Sequence, residues 1–599
     1  MSRPRASIPD SGATPVASAT VTPSTNPSFL VPLACITLFA LLLRLAGLGR
    51  PSLWFDEALE WSRAAGSLAT TLFGQALDHD PPLLPLAYHV WVRLVATEWW
   101  LRLPSVLAGT AAVALTGLWA ARLFGRRIGL LAALFGALAP VAVYYGQELN
   151  QYAWVLLLTV ASLWTFERLL ESGTRRAWLL YGTIAALGLG VYYGMVFPLA
   201  AQGLYLLRWT WRRRDTATWR RLAIYVVACG IVCASLWAIG LDARIGIPHA
   251  VRRWGWPDPV NEWAFFHDVF WREVLVFYLL PFSGGPALVA VRVLALAALG
   301  GAVWLWRRFD GGPRAVTVGC LLPLALTYVA SGWALYPFGF RHGLFVVPVL
   351  LTALAGAVAW LWRRWRPVGI AATVTVVALF LAFSPQRFWP NPWMSAPRED
   401  MRSVAAGIAK QAESGDLVYI YDPARYAFRY YWPDTAGVPV IWGDAFAGAE
   451  VIHEAWHINR TPADRAWLVF SHVEGAEDAE LLDALADRGW REVTRLTAEG
   501  AWAVAVARQS SEGNDNQAPL GSRRPAVRRD AGTLVVGGEA GAGHVHAITG
   551  DHEICQRSIR SDAGQLARQP GMADIPHVGA PWTQQERIFI DGLDTLNDR

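Results

Sequence analysis

Two adjacent carboxylates, Asp56 and Glu57, follow Trp54 and Phe55 just beyond the first long apolar run of the chain. A carboxylate shielded from water by aromatic neighbours becomes a stronger base, because desolvation disfavours its charged form. The chemistry on offer is proton abstraction from a hydroxyl. An N-cap is the plainer alternative for Asp56, since a helical pattern starts there and Asp caps helices well. A second acidic position, Asp80, lies in Asp78-His79-Asp80-Pro81-Pro82. A third, Glu148, lies in Gln147-Glu148-Leu149-Asn150-Gln151-Tyr152, a tight turn between two apolar runs that needs only polarity to be explained. A cation is offered by Arg341, with His342 beside it, in Tyr336-Pro337-Phe338-Gly339-Phe340-Arg341-His342. A planar guanidinium matches phosphate oxygens, and an Arg at the mouth of a span also snorkels toward lipid headgroups.

Other polar clusters carry less. His453 and His457 stand four apart, a helical spacing that suits a metal, but Glu454 does not complete a zincin signature. His544, His546, His552 and Cys555 have no recognised ligand spacing. Trp254, Trp256, Trp263 and Trp271 read as interfacial anchors. There is no phosphate-cradling glycine loop and no nucleic-acid fold signal, so nucleic acid is not expected as a partner. No cofactor is demanded. A divalent cation shared by Asp56, Glu57 and Asp80 would lack a complete ligand set.

The elements that must position these residues are membrane spans. Of 599 residues, 54% are apolar and 17% charged, with a mean hydropathy of +0.29, against about 25% charged in an ordinary soluble domain. The excess is concentrated between Phe29 and Pro385, in runs close to the roughly 20 residues needed to cross a bilayer as helix. They fall near 29–48, 103–121, 128–145, 152–170, 177–193, 195–208, 219–241, 286–306, 314–333, 342–362 and 367–385. The fold class that follows is an α-helical polytopic membrane protein with about 11 transmembrane helices, in a range of roughly 10–13. Segment 83–97 is short and interrupted by Pro85, His89 and Arg93, which places it at the membrane surface. Four of the five cysteines lie inside apolar runs as small hydrophobes, so a disulfide scaffold is excluded.

Charge supplies the orientation. Arg122, Arg126 and Arg127, then Arg208, Arg212, Arg213 and Arg214, then Arg307 and Arg308, then Arg363, Arg364 and Arg366 fall in alternate loops. The turns at 146–151 and near 194 carry neither Lys nor Arg. Basic loops stay in the cytoplasm, against anionic membrane lipids, with residues 1–28 as a disordered cytoplasmic arm. Residues 50–102, 242–285, 333–341 and everything after 385 then lie on the outer face of a bacterial inner membrane. Residues 29–385 form the transmembrane domain. Within 386–508, β-type runs (Leu417–Tyr421, Val438–Ile441, Ala466–Phe470, Ala501–Ala507) alternate with helical patterns at Asp400–Glu413 and Asp478–Arg488. That alternation predicts a small extracytoplasmic α/β domain. Residues 509–599, rich in Gly, Asp, Arg and Ser, read as a disordered tail.

The order of motifs resembles the GT-C superfamily of membrane glycosyltransferases. The likeness is to the bacterial branch related to protein O-mannosyltransferases and the lipid A aminoarabinose transferase (glycosyltransferase family 39-like). It is carried by Trp54-Phe55-Asp56-Glu57, Asp80-Pro81-Pro82, Glu98 to Arg102-Leu103-Pro104-Ser105, and Ala121-Arg122-Leu123-Phe124-Gly125. Pro140, Gln147-Glu148 with Tyr152, the late Arg341, Arg398-Glu399-Asp400-Met401-Arg402 and Gly415-Asp416-Leu417-Val418 continue it. It covers roughly 29–508 and is most specific over 44–152. The chain departs from the lipid A branch at Pro81, where that branch has Lys, and from many relatives at Asn150, where they have Arg. It leaves no room for the luminal β-trefoil of the protein O-mannosyltransferases.

The resemblance implies a glycosyltransferase that takes a sugar from a polyprenyl-phosphate donor on the outer face and passes it, usually with inversion, to a lipid, glycan or protein acceptor. It assigns Asp56 as general base, Glu57 as its orienting neighbour, Asp80 and Glu148 as acceptor or second acidic positions, and Arg341 with His342 to the donor phosphate. The alternatives are a transporter or flippase and a polysaccharide polymerase or ligase. A transporter gathers ionisable residues at the bilayer midplane, whereas these gather at the outer ends of spans. A polymerase or ligase is expected to centre on Arg and His in a large late outer loop.

Overall fold

The computed structural model describes residues 27–73, 81–239, 279, 287–333, 335–336, 341–383, 399–432, 437–443, 449–473 and 475–509. The membrane part and outer loop contain α1 (Pro27–Leu45), α2 (Phe55–Ala65), α3 (Leu68–Phe73), α4 (Leu83–Leu94), α5 (Glu98–Phe124), α6 (Arg126–Leu138), α7 (Pro140–Tyr145) and α8 (Tyr152–Ser172). They continue with α9 (Arg175–Val191), α10 (Val196–Arg213), α11 (Thr216–Ile239), α12 (Ala287–Arg308), α13 (Gly312–Gly332), α14 (Leu344–Arg364) and α15 (Arg366–Ala382). Among the described residues, seven helices are long and apolar enough to cross a membrane: α1, α5, α8, α11, α12, α13 and α14. The remaining expected runs fold as the shorter helices α6 with α7, α9, α10 and α15. Residues 1–26, Asp80, most of 242–285 and the tail from 510 lie outside the described residues. Pro27 and Ser28, expected in the arm, already belong to α1.

One expected span is two helices. Pro140 has no N–H to give the Gly136 carbonyl, so the run 128–145 breaks between α6 and α7. Arg44, fully buried near the end of α1, fills the gap. Its guanidinium donates to the carbonyls of Gly136 (3.2 Å), Ala137 (3.3 Å), Ala142 (3.2 Å) and Ala40 (3.1 Å). Gly146 makes room for it: a Cβ there would lie 2.7 Å from Arg44 Nε. Gln147 then donates to the carbonyls of Arg44 (3.0 Å) and Ala46 (3.1 Å), closing the end of α1. The break therefore ties the turn after α7 to the C-terminal end of α1.

The α/β domain contains α16 (Met401–Gln411), α17 (Arg425–Tyr431), α18 (Ala449–Arg460) and α19 (Glu477–Ala486) around a five-stranded sheet. The strands are β1 (Leu417–Ile420), β2 (Val440–Trp442), β3 (Arg465–Ser471), β4 (Trp490–Ala498) and β5 (Ala501–Arg508), in the order β2-β1-β3-β5-β4. β1 runs parallel to β2 and β3, and β5 antiparallel to β3 and β4. β4, absent from the sequence expectation, is an edge strand, buried at Trp490 and otherwise largely open. Its single buried residue gives no alternating signal.

The described part of the loop between α1 and α5 shares its core with the α/β domain. Leu53, Ala58, Leu84, Tyr88, Leu101 and Leu149 bury themselves with Met401, Ile408, Val418, Phe428 and Trp467 in one cluster. Burial of such side chains contributes about 1.5–3 kcal/mol each, so the loop and the α/β domain stabilise one another.

Candidate active site

Asp56 stands in the first turn of α2, and its Oδ2 accepts from the guanidinium of Arg341. The two come from opposite ends of the membrane part. Arg341 lies just before α14, over the ring of Tyr152 at 5.7 Å, a cation–π geometry. Tyr152 packs edge-on to Tyr145 at 4.7 Å and Tyr192 at 6.0 Å. The Tyr192 and Tyr336 hydroxyls meet at 2.8 Å, and both reach the His342 carbonyl, at 3.3 and 2.9 Å. The turn carrying Arg341 is thus pinned by two phenols at its backbone. His342 contributes that carbonyl, while its ring rests edge-on to Tyr336 at 5.9 Å.

Burial pulls the Arg341 pKa down, but the charges of Asp56 and Glu148 and the nearby phenols of Tyr152 and Tyr145 outweigh it and hold it well above its ordinary value. The guanidinium stays charged. Glu148 is buried in the turn between α7 and α8 and belongs to the same electrostatic cluster. Asp80 lies outside the described residues.

Glu57 points elsewhere. Consecutive helical residues diverge by about 100°, and while Asp56 meets Arg341, Glu57 turns inward to complete burial. Its carboxylate takes both arms of Arg102, Nε at 2.7 Å and Nη2 at 2.5 Å, and the Leu149 N–H at 2.9 Å. Arg102 in turn donates to the carbonyls of Leu48, Pro51 and Ser52 at 2.8–3.0 Å. The pair binds the end of α1, the start of α2, α5 and the Glu148 turn into one unit.

The α/β domain grips the same loop. Tyr431 Oη accepts the Leu53 N–H at 2.7 Å and donates to Glu98 at 3.0 Å. Arg402 pairs with Glu98 at 2.5 Å and reaches the carbonyls of Arg50 and Pro51. Glu399 accepts the Phe55 N–H at 3.1 Å. Phe55 stacks on His472, and Tyr426 meets it edge-on.

Sequence reasoning gave no role to Arg102, Tyr145, Tyr192, Glu399, Tyr431 or His472. The available signals were an Arg beside Glu98 at the start of a span, which a lipid-facing position would not tolerate unpaired, and the pairs Tyr144-Tyr145 and Tyr192-Tyr193 at outer helix ends. His453 and His457 lie on α18 with their Nε2 atoms 3.0 Å apart. That helix packs through Ala455 and Ile458 against the sheet face opposite the one that meets the α2 loop, so the pair is separate from Asp56. The tail histidines, Cys555 and the Trp254–Trp271 loop lie outside the described residues.

Residues 79–238 match the family model described as dolichyl-phosphate-mannose-protein mannosyltransferase. Over that stretch the match bears out the resemblance read from the motifs. Arg102, Glu148, Tyr152 and Tyr192 fall inside the matched stretch, and Asp56, Glu57 and Arg341 outside it. In structure the chain is similar to ArnT from Cupriavidus metallidurans in the apo state, at 15% identity and a TM-score of 0.48, covering 80% of this chain and 98% of that one. The same protein bound to undecaprenyl phosphate matches at 15% identity and a TM-score of 0.47, with the same coverage. The Archaeoglobus fulgidus oligosaccharyltransferase in complex with Zn and sulfate matches at 12% identity and a TM-score of 0.46, covering 79% of this chain and 72% of that one. No curated protein matches the chain in sequence.

Proposed function

We propose that the protein is a GT-C membrane glycosyltransferase that moves a sugar from a polyprenyl-phosphate donor to a hydroxyl of an envelope acceptor (glycolipid, polysaccharide or protein) on the outer face of a bacterial inner membrane. Its N-terminus is cytoplasmic and its α/β domain extracytoplasmic. Asp56 takes the proton of the acceptor hydroxyl. The freed oxygen attacks the anomeric carbon as its bond to the phosphate oxygen breaks, with inversion. Arg341 holds the leaving phosphate and neutralises the charge that develops on it. A polyprenyl phosphate is already a competent leaving group, so no nucleotide-binding domain is needed.

The observation that carries this reading is the meeting of Asp56 with Arg341, a base and a phosphate-matching cation brought together from 285 positions apart. The matched family is described by a dolichyl-phosphate-linked sugar, and we carry over the lipid-phosphate class of donor. A Lewis-acidic divalent ion is not required by these steps.

The test is mass spectrometry of polyprenyl-phosphate sugars and envelope glycans in a deletion strain. Accumulation of one lipid-linked sugar with loss of one glycan residue is expected and names both substrates. Unchanged pools of both contradict the proposal.

A further inference from the structure

The helix that carries Asp56 does not start on its own. Trp54, at the N-cap of α2, makes no side-chain capping bond, although the first N–H groups of a helix need acceptors. One comes from 344 positions later, where Glu399 Oε2 accepts the Phe55 N–H at 3.1 Å. The other carboxylate oxygen, Oε1, meets His472 Nδ1 at 2.9 Å, and the Glu399 side chain is 5% exposed. The His472 ring stacks on Phe55 at 4.8 Å with 20° between planes. His472 follows β3 directly and sits at φ +54. A non-glycine residue keeps that left-handed conformation where its surroundings enforce it. A carboxylate at a helix N-terminus also gains from the helix dipole.

The proposed transfer gives no step to Glu399 or His472, and both belong to the α/β domain. We infer that Glu399 is a positioning residue for the transfer. It caps α2 in trans, with His472 orienting its carboxylate, so that Asp56 is aimed at Arg341 only while the α/β domain is seated on the outer loop. The extracytoplasmic domain is then part of the catalytic apparatus without supplying a reacting group. This inference rests on Asp56 as the base.

The test compares Glu399→Ala, which removes the acceptor, with Glu399→Gln, which keeps an oxygen for the Phe55 N–H. Turnover and amide hydrogen exchange are followed on the full-length protein in detergent. Glu399→Ala is expected to lower kcat at least about tenfold with donor KM unchanged, because small misplacements of reacting groups are costly. Exchange rises in the peptide covering 53–60 and stays unchanged in α16 and β3. Glu399→Gln recovers most of the turnover and the protection. Wild-type kcat and exchange in Glu399→Ala overturn the inference. So does a loss that Gln fails to recover, or a rise in exchange across the whole α/β domain, which marks a general stabilising role. If the wild-type protein transfers no sugar, the proposed function fails, while exchange over 53–60 still decides whether Glu399 caps α2.

Discussion

Arg341 and Asp56 are bonded guanidinium to carboxylate, and the ring of Tyr152 supports the guanidinium at 5.7 Å. In the proposed mechanism the base and the phosphate site therefore occupy each other in the free protein. On the proposed function, a donor phosphate competes with Asp56 for the cation, and its arrival releases the carboxylate to accept a proton. This predicts that Arg341→Ala weakens binding of polyprenyl phosphate by roughly ten- to a hundredfold, the worth of a charge-assisted hydrogen bond of about 1.5–3 kcal/mol. Arg341→Lys, which keeps the charge and loses the fork, falls between. Equilibrium binding of a labelled polyprenyl phosphate to the purified variants measures both.

Glu57 and Arg102 give a prediction of a different kind, about stability. Removing one member of a buried ion pair strands the other, at a cost of about 3–5 kcal/mol. Glu57→Ala and Arg102→Ala are each expected to lower the unfolding midpoint in detergent sharply. The double variant should cost much less than the sum of the two, because the stranded charge is gone. Strict additivity in a double-mutant cycle would contradict the pairing.

Much of this fold is legible from the apolar runs, because length and hydrophobicity alone define a span. Asp56 and Arg341 stand out in the sequence for a related reason, as charges at span ends where the expected topology does not call for them. The split of the run at Pro140 is readable from proline chemistry, but its repair by Arg44 is not, since the partners lie 92 to 98 positions away. The separate destinies of Asp56 and Glu57 depend on the direction in which α2 faces its neighbours. Glu399, Tyr431 and His472 reach the site only through docking of the α/β domain, a long-range packing event with no local signature.

That docking has its own pH dependence. Burial first, with the nearby Glu98 charge adding to it, pushes the Tyr431 hydroxyl up to about 12, from an ordinary tyrosine value of about 10. The fold thus favours the protonated phenol. Its contribution is fully present below about pH 10 and is lost as pH rises through about 12. Tyr431→Phe leaves the Leu53 N–H without this acceptor, at about 1–3 kcal/mol. Protease resistance of the α/β domain is expected to fall with rising pH in the wild type over that window. The variant should start lower and lack the Tyr431 step.

Arg44 and Pro140 form a compensating pair. Arg44→Met strands the Gly136 and Ala137 carbonyls in an apolar interior, and a marked loss of thermal stability is expected. Pro140→Ala restores an N–H within reach of the Gly136 carbonyl, so the double variant should regain part of what Arg44→Met loses. No recovery in thermal unfolding would mean that Arg44 acts through something other than these carbonyls.

The central claim is that Asp56 removes the acceptor proton while Arg341 holds the donor phosphate. Its most direct measurement pairs sugar transfer with donor binding in Asp56→Asn. Loss of a general base costs about 10²–10⁴-fold in rate, and Asn no longer competes as an anion for Arg341. The variant is therefore expected to bind polyprenyl phosphate at least as tightly as the wild type while its transfer rate falls by at least about a hundredfold. A folded Asp56→Asn protein that transfers sugar at the wild-type rate would contradict the account.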